Sequence, residues 1–269
     1  VDKINLPADD EKRNFVKIMN PLGEETSVMR TTLIPNMLDV ISTNISHKVE
    51  EVSAFECGNT FIPQEGLPIE TKKYCVGMYG KEVDFFVLKG VIESVLNNVG
   101  LKGYEIEPET TNLTFHPGRC AKIVYNNIYI GTFGELHPDV IENYNLGQRV
   151  YVAEINIDTV FENLNLTKSY NPLPKYPSTS RDIALIVKDE VFVKQIEDII
   201  KANGEDLVES YKLFDVYKGA QIEEGHKSIA YSITYRSKDK TLTDEDVAKV
   251  HEKILSELSE KLNANLRSN

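Results

Sequence analysis

The chain has 269 residues, of which 41% are hydrophobic and 27% charged, a composition typical of a globular protein with about two domains. Its formal net charge of −12 excludes a general polyanion-binding protein, because affinity for nucleic acids depends on the neutralisation of phosphates. No apolar run reaches the roughly 20 residues of a membrane-spanning helix, and the polar N-terminal residues are unlike a signal peptide. A cytoplasmic location is therefore expected, in which the dispersed cysteines Cys57, Cys75 and Cys120 serve as small core residues.

Residues 1–170 are predicted to form an α+β domain of antiparallel strands flanked by helices. One helix begins near Pro35, and an amphipathic helix in DFFVLKGVIESVLNNVG is closed by Gly100. The predicted hairpin in RCAKIVYNNIYIGTFGELH turns at Asn126 and Asn127, a pair of residues that favours turns. The remaining elements are strands in VSAFECGNTFIP, KKYCVGMYGK and RVYVAEINID and a short helix in HPDVIENYNL. The first of these strands and the hairpin are expected to be neighbours in one sheet.

Three prolines, Pro172, Pro174 and Pro177, predict an extended connector over residues 171–180, because proline prevents helix formation and weakens strand pairing. From Asn171 onward the sequence has 15 Lys and Arg against 18 Asp and Glu, a balance of −3, which leaves −9 for the part before it. The part after the connector is therefore the better candidate for a contact with RNA.

Residues 181–269 are predicted to form a ferredoxin-like βαββαβ domain. Its elements in chain order are a strand in RDIALIVKD, a helix in FVKQIEDIIKANGED, strands in VESYKLFDVYKG and KSIAYSITYRSKD, a helix in TDEDVAKVHEKILSELSEKL and a short strand in NANLR. Thr243 is a candidate cap for the second helix, with Asp246 three residues later. RNA-recognition motifs share this architecture and present aromatic side chains on an open sheet.

The strand in YKLFDVYKG ends with an acid and an aromatic residue two positions apart. Strict alternation places Tyr211, Leu213 and Asp215 on one face, and Tyr217 on the same face as Asp215. A ligand at the strand end would explain this pair, whereas packing gives no reason for the acid. The alternative is that Tyr217 is an amphipathic edge residue and Asp215 a turn acid, and the strand pattern leaves both interpretations open.

Several motifs, found in order, give the whole chain a resemblance to one family. MNPLGEETSVMRTTLIPNMLDVI, FECGNTF, FHPGRCA and GTFGELHP resemble the catalytic-like module in the β subunit of bacterial phenylalanine–tRNA ligases. KYPSTSRDIALIV and LFDVYKG…GHKSIAYSITYRSKDKTLTDEDV are similar to the terminal anticodon-binding domain of the same subunits. The resemblance implies the C-terminal portion of such a subunit, with a class II synthetase-like first domain and a ferredoxin-like anticodon-binding second domain.

The resemblance also implies partners and site residues. By motif match, Asp215, Tyr217, Ser228 and Arg267 would contact the anticodon of tRNA(Phe). A catalytic α subunit, in a heterotetramer of two α and two β subunits, would attach phenylalanine to the tRNA with ATP and Mg²⁺. This portion of the β subunit would itself bind no cofactor or metal ion, and it would contact neither DNA nor a membrane.

Catalysis by this chain alone is not expected. The class II synthetases that the first domain resembles require an arginine in their second motif, where this chain has Ala54, Phe55 and Glu56, and another in a glycine-rich third motif that is missing here. Without those cations the charge that develops on transfer is not stabilised, so no catalytic residue is predicted.

Arg30 has two open interpretations, an exposed surface arginine or a contact with the α subunit. If SVMRTTLIPNML belongs to such an interface, some Leu, Phe or Met side chains around it are expected to remain exposed. Two functions from other classes stay open at this stage. One is a free-standing interaction module whose ferredoxin-like domain binds protein or a small ligand, and the other is an active class II adenylating enzyme.

Overall fold

The structure is a computed structural model, which describes residues 1–164, 167, 170, 172–219 and 221–267. It divides into two compact units, Val1–Lys168 and Ser169–Asn269. The first strand of the second unit begins at Thr179, within the stretch that the prolines mark as a connector. None of the helices in the described ranges is long and apolar enough to cross a membrane.

The first unit is built on a six-stranded sheet in which every neighbouring pair is antiparallel. Its strands are β1 (Val52–Ile62), β2 (Ile69–Tyr79), β3 (Glu105–Pro108), β4 (Phe115–Tyr125), β5 (Ile128–Leu136) and β6 (Tyr151–Asn156), and they lie in the order β1-β2-β6-β5-β4-β3. The predicted α+β fold with an antiparallel sheet is confirmed. The expectation that β1 lies next to the β4–β5 hairpin is wrong, because β1 pairs with β2, and β6 returns to fill the space between β2 and β5.

Helices cover both faces of this sheet. They are α1 (Ile34–Ser46), α2 (Phe85–Asn98), α3 (Pro138–Asn143) and α4 (Ile157–Glu162). Leu38 and Ile41 of α1 pack with Tyr79 and Val152 on one face, while the buried stripe of α2 packs around Phe133 on the other. The sheet is therefore a central layer with an apolar core on each side.

Local sequence signals account for several ends of these elements. Asn126 and Asn127 both have positive φ, 49° and 63°, as a tight hairpin turn requires, and they join β4 to β5. His137 caps α3, and Pro138 occupies its first turn. Two short elements, β3 and α4, are absent from the sequence prediction because each is too short to show a periodic pattern.

The second unit is a ferredoxin-like βαββαβ fold, as predicted. Its elements are β7 (Thr179–Lys188), α5 (Val193–Asn203), β8 (Val208–Tyr217), β9 (His226–Tyr235), α6 (Asp244–Leu262) and β10 (Asn265–Leu266), with the strands in the order β10-β7-β9-β8. All three strand pairs are antiparallel. Thr243 Oγ1 accepts from the Asp246 N–H and the Asp246 carboxylate accepts from the Thr243 N–H, which is the capping box expected for α6.

The cysteines have two different environments. Cys75 and Cys120 are buried in the first unit, and desolvation raises the pKa of both thiols, that of Cys120 to about 12. Cys57 on β1 is exposed, so the expectation of a core role is wrong for this residue. β1 is the edge strand of its sheet, and the side chain of Cys57 points away from the core face that Glu56 and Cys75 share.

Candidate nucleic-acid interface

The helices of the second unit leave one face of its sheet without a helix. Ile229, Tyr231 and Ile233 of β9 face α5 and α6 and are fully buried. Because side chains alternate along a strand, Ser228 and Ala230 point to the opposite face. This face, which we call the open face, carries the residues predicted to contact the anticodon.

A β-bulge in β8 places Asp215 on the open face. Leu213 pairs with Tyr231 and Asp215 pairs with Ala230, so β8 advances by two residues where β9 advances by only one. This register shift is a β-bulge. Tyr211 and Leu213 pack against the core, and the bulge turns Asp215 away from them. The expectation that Asp215 shares a face with Tyr211 and Leu213 is therefore wrong, because an inserted residue breaks strict alternation.

Tyr217 stands directly opposite Ser228 across the β8–β9 pair, so the two side chains share the open face with Asp215. Tyr217 is 36% exposed, whereas Ser228 is only 4% exposed. Gly219 follows closely, and a Cβ added there would overlap the phenol ring of Tyr217. The ring is thus held against the backbone at the start of the β8–β9 loop.

Arg267 reaches the same place from the other edge of the sheet. Its N–H donates to Ala184 O at 2.9 Å, which continues the pairing of β10 with β7. Its guanidinium carbon lies 5.6 Å from the centre of the Tyr217 ring, and its Nη2 donates to Gln221 Oε1 at 3.0 Å. β7 and β9 lie between the strands of the two side chains, so Arg267 and Tyr217 meet across the middle of the sheet, on the face to which Ser228 also points.

Two lysines at this end of the sheet were missed by the sequence analysis. Lys218 Nζ lies 2.7 Å from Asp189 Oδ2, and Lys227 Nζ donates to Asp189 O at 2.8 Å. Desolvation lowers the pKa of Lys227, and the charge of Lys218 lowers it further, while Asp189 opposes both effects. The position of Lys218, directly after Tyr217, was the only signal in the sequence. Both lysines therefore contact Asp189, at the end of the sheet where β7 ends.

The geometry combines the chemistry that recognition of an unpaired base requires. An aromatic ring offers a stacking surface, an exposed carboxylate can accept from a base edge, and a guanidinium can contact a phosphate or a base plane. The structure brings Asp215, Tyr217, Ser228 and Arg267 together, although they come from three different strands or strand ends.

Arg30, in the first unit, is bound to its own unit. Its Nη1 lies 2.6 Å from Glu56 Oε1, and its Nε donates to Asn59 O at 2.9 Å. Its carbonyl accepts from the Phe61 N–H at 2.9 Å, so the segment before α1 is fastened along the free edge of β1. At 33% side-chain exposure Arg30 is half-buried, which corrects the interpretation as an exposed surface arginine.

The apolar side chains near Arg30 are mostly buried. Leu33, Met37 and Leu38 lie in the core of the first unit, because they form the buried side of α1. Met19 and Leu22, which precede the stretch, are fully or almost fully exposed, as expected of some side chains around it, and Val28 within it is 38% exposed.

Two carboxylates of the first unit are bound to groups of the same unit. Glu56 on β1 is paired with Arg30, and Glu154 on β6, only 8% exposed, accepts from Thr32 Oγ1 at 2.6 Å and from the Leu33 N–H at 2.7 Å. These acids therefore have structural roles at the start of α1 and along β1. Within the described ranges, no cluster of three or more His, Cys, Asp or Glu could hold a metal ion.

Comparison with known proteins assigns the chain to a family. Residues 1–157 match the family described as the phenylalanyl tRNA synthetase beta chain CLM domain. The chain belongs to this family. Residues 174–267 match the ferredoxin-fold anticodon binding domain, which is the unit that carries the open face.

Curated relatives of this phenylalanyl tRNA synthetase beta chain family agree with the assignment. The chain is 47% identical over 269 residues to the phenylalanine–tRNA ligase beta subunit of Clostridium tetani and 46% identical over 269 residues to that of Clostridium acetobutylicum. It is 37% identical over 280 residues to the beta subunit of Symbiobacterium thermophilum. Each alignment covers 99% of this chain, and the chain spans about a third (34%, 34% and 31%) of the length of these relatives.

Proposed function

We propose that the chain acts as part of the beta subunit of a phenylalanine–tRNA ligase and that its second unit binds the anticodon of tRNA(Phe). The convergence of Asp215, Tyr217, Ser228 and Arg267 on the open face, within a match to the anticodon binding domain, carries the proposal. A free-standing interaction module is not favoured, since the relatives that match the whole chain are ligase subunits.

The proposal assigns each side chain a task. Tyr217 stacks on a base, and Asp215 accepts from the Watson–Crick edge of a base such as guanine. Arg267 holds a phosphate or a base plane, while Ser228, which points to the same face as Tyr217, exchanges a hydrogen bond with a base edge. Lys218 and Lys227 lie at the same end of the sheet and are further candidates for a contact with the RNA backbone.

The first unit serves as a non-catalytic partner. In the proposed assembly, two alpha subunits catalyse the attachment of phenylalanine with ATP and Mg²⁺, and two beta subunits support them in the cytoplasm. The carboxylates Glu56 and Glu154 support this role, because they stand in a class II-like sheet without the arginines that the chemistry requires. Arg30 and the exposed Met19 and Leu22 are our candidates for the surface that contacts the alpha subunit.

A paired assay of the assembled enzyme tests the anticodon role. Tyr217→Ala removes a stacking surface worth about 1–3 kcal/mol, so kcat/KM for tRNA(Phe) should fall by about fivefold to 150-fold. Tyr217→Phe keeps the ring and should stay close to wild type. Phenylalanine-dependent pyrophosphate exchange should be unchanged in both variants, because that step takes place in the other subunit. Equal kcat/KM for tRNA in wild type and Tyr217→Ala would show that the strand end serves packing alone.

A further inference from the structure

Gln221 connects the β8–β9 loop to the C-terminal strand. Its Oε1 accepts from Arg267 Nη2 at 3.0 Å, across 46 residues of sequence. Neither the motif match nor the strand pattern singles out this glutamine, whose side chain is exposed. The contact therefore joins a residue without an assigned role to one proposed to bind tRNA.

The loop gives Gln221 a defined position. The Ile222 N–H donates to Gly219 O at 2.9 Å, so Gln221 lies within a hydrogen-bonded turn, and a second turn follows, in which the His226 N–H donates to Glu223 O at 3.0 Å. Gly219 also packs against the Tyr217 ring. The loop, the ring and Gln221 thus form one local structure at the end of β8.

Arg267 depends on that structure for its orientation. Its backbone is fixed to β7, but its side chain is long and carries large rotamer freedom. The Tyr217 ring attracts the guanidinium without fixing the direction of its N–H groups, since the attraction arises from the ring face as a whole. The hydrogen bond to Gln221 is directional and limits the rotation of the guanidinium above the ring.

We infer that Gln221 is a positioning residue, which pre-orders Arg267 for its contact with tRNA through the Nη2–Oε1 hydrogen bond. The inference rests on the proposed function of the open face. Gln221 acts through Arg267, so binding then requires less ordering of the arginine, and affinity rises for that reason. Gln221→Ala should weaken the binding of tRNA(Phe) by about threefold to tenfold, the effect of ordering one long side chain.

A double-mutant cycle in the assembled enzyme tests this inference. The dissociation constant for tRNA(Phe) is measured for wild type, Gln221→Ala, Arg267→Ala and the double variant. Gln64→Ala is the matched control, because Gln64 is an exposed glutamine in the first unit that also makes a side-chain hydrogen bond, to Leu67 O. Pyrophosphate exchange is recorded for Gln64→Ala and should stay at the wild-type rate.

The expected result is a loss of affinity in Gln221→Ala that disappears when Arg267 is already alanine. An equal loss in both backgrounds would overturn the inference, because Gln221 would then act independently of Arg267. Loss in Arg267→Ala with none in Gln221→Ala would also overturn it, while leaving the anticodon role intact. If neither Arg267→Ala nor Tyr217→Ala weakened binding, the proposed function itself would fail, and this inference with it.

Discussion

Glu154 provides the sharpest test of how the first unit is held together. Its carboxylate comes from β6, is only 8% exposed, and accepts from Thr32 Oγ1 and the Leu33 N–H immediately before α1. Thr32 and Leu33 are themselves 2% and 0% exposed. Neither donor can reach water when the carboxylate is removed, so Glu154→Ala leaves two buried polar groups unpaired.

The magnitude follows from those two donors. Each unpaired buried group costs about 1–3 kcal/mol, so Glu154→Ala should lower the free energy of unfolding of the first unit by about 2–6 kcal/mol. Glu154→Gln keeps an acceptor oxygen and loses only the charge assistance, which predicts a smaller loss of about 1–2 kcal/mol. Glu107→Ala is the control, since Glu107 pairs with Lys122 at a partly exposed site where an ion pair is worth about 0–1 kcal/mol.

Native-state hydrogen exchange of the α1 amides, followed by mass spectrometry, reports the stability of this unit separately from the other. The three variants should rank in the order Glu107→Ala, Glu154→Gln, Glu154→Ala, from the smallest loss of protection to the largest. If Glu154→Ala exchanged no faster than Glu107→Ala, the idea that this carboxylate anchors α1 to the sheet would be refuted.

Two further predictions concern the second unit. The pKa of His251 is lowered by desolvation and by Arg181, and its Nδ1 lies 2.9 Å from the Tyr235 hydroxyl, so the folded state favours the neutral ring. Because the unfolded chain then binds more protons, the free energy of unfolding should fall as the pH drops below about 6.5. Measured by urea unfolding, the difference in that free energy between pH 7.5 and pH 5.5 should be smaller in His251→Gln than in wild type. An identical difference in both proteins would contradict this assignment. Gly219→Ala should displace the Tyr217 ring and reduce tRNA affinity by about as much as Tyr217→Ala, and unaltered affinity would mean that the ring position at Gly219 does not matter for binding.

The sequence predicted those structural features that depend on one short segment of the chain. The capping box at Thr243 and Asp246 and the turn at Asn126 and Asn127 each depend on residues a few positions apart. The βαββαβ order followed from helix and strand periodicity in the same way. These features need no knowledge of the rest of the chain.

The features that required the structure are long-range. Alternation alone could not reveal the bulge that turns Asp215 to the open face, because a bulge depends on the pairing partner as well as on its own strand. The contact of Glu154 with Leu33 spans 121 residues, and that of Arg267 with Gln221 spans 46. The residues proposed to bind the anticodon were named from family resemblance, and only the fold showed how Arg267 and Tyr217 meet.

The central claim is that the open face reads an anticodon base, and Asp215 tests it most directly. In the assembled enzyme, kcat/KM is measured for tRNA(Phe) and for transcripts in which each anticodon base is replaced in turn. The enzymes compared are wild type, Asp215→Ala and the control Asp206→Ala, since Asp206 is an exposed acid in the turn before β8. A base-edge contact is worth about 1–3 kcal/mol of discrimination. The penalty for replacing a base is the fall in kcat/KM relative to tRNA(Phe), and Asp215→Ala should reduce this penalty at one anticodon position by about fivefold to 150-fold and leave it unchanged at the others. Identical penalties at every position in wild type and Asp215→Ala would contradict the account.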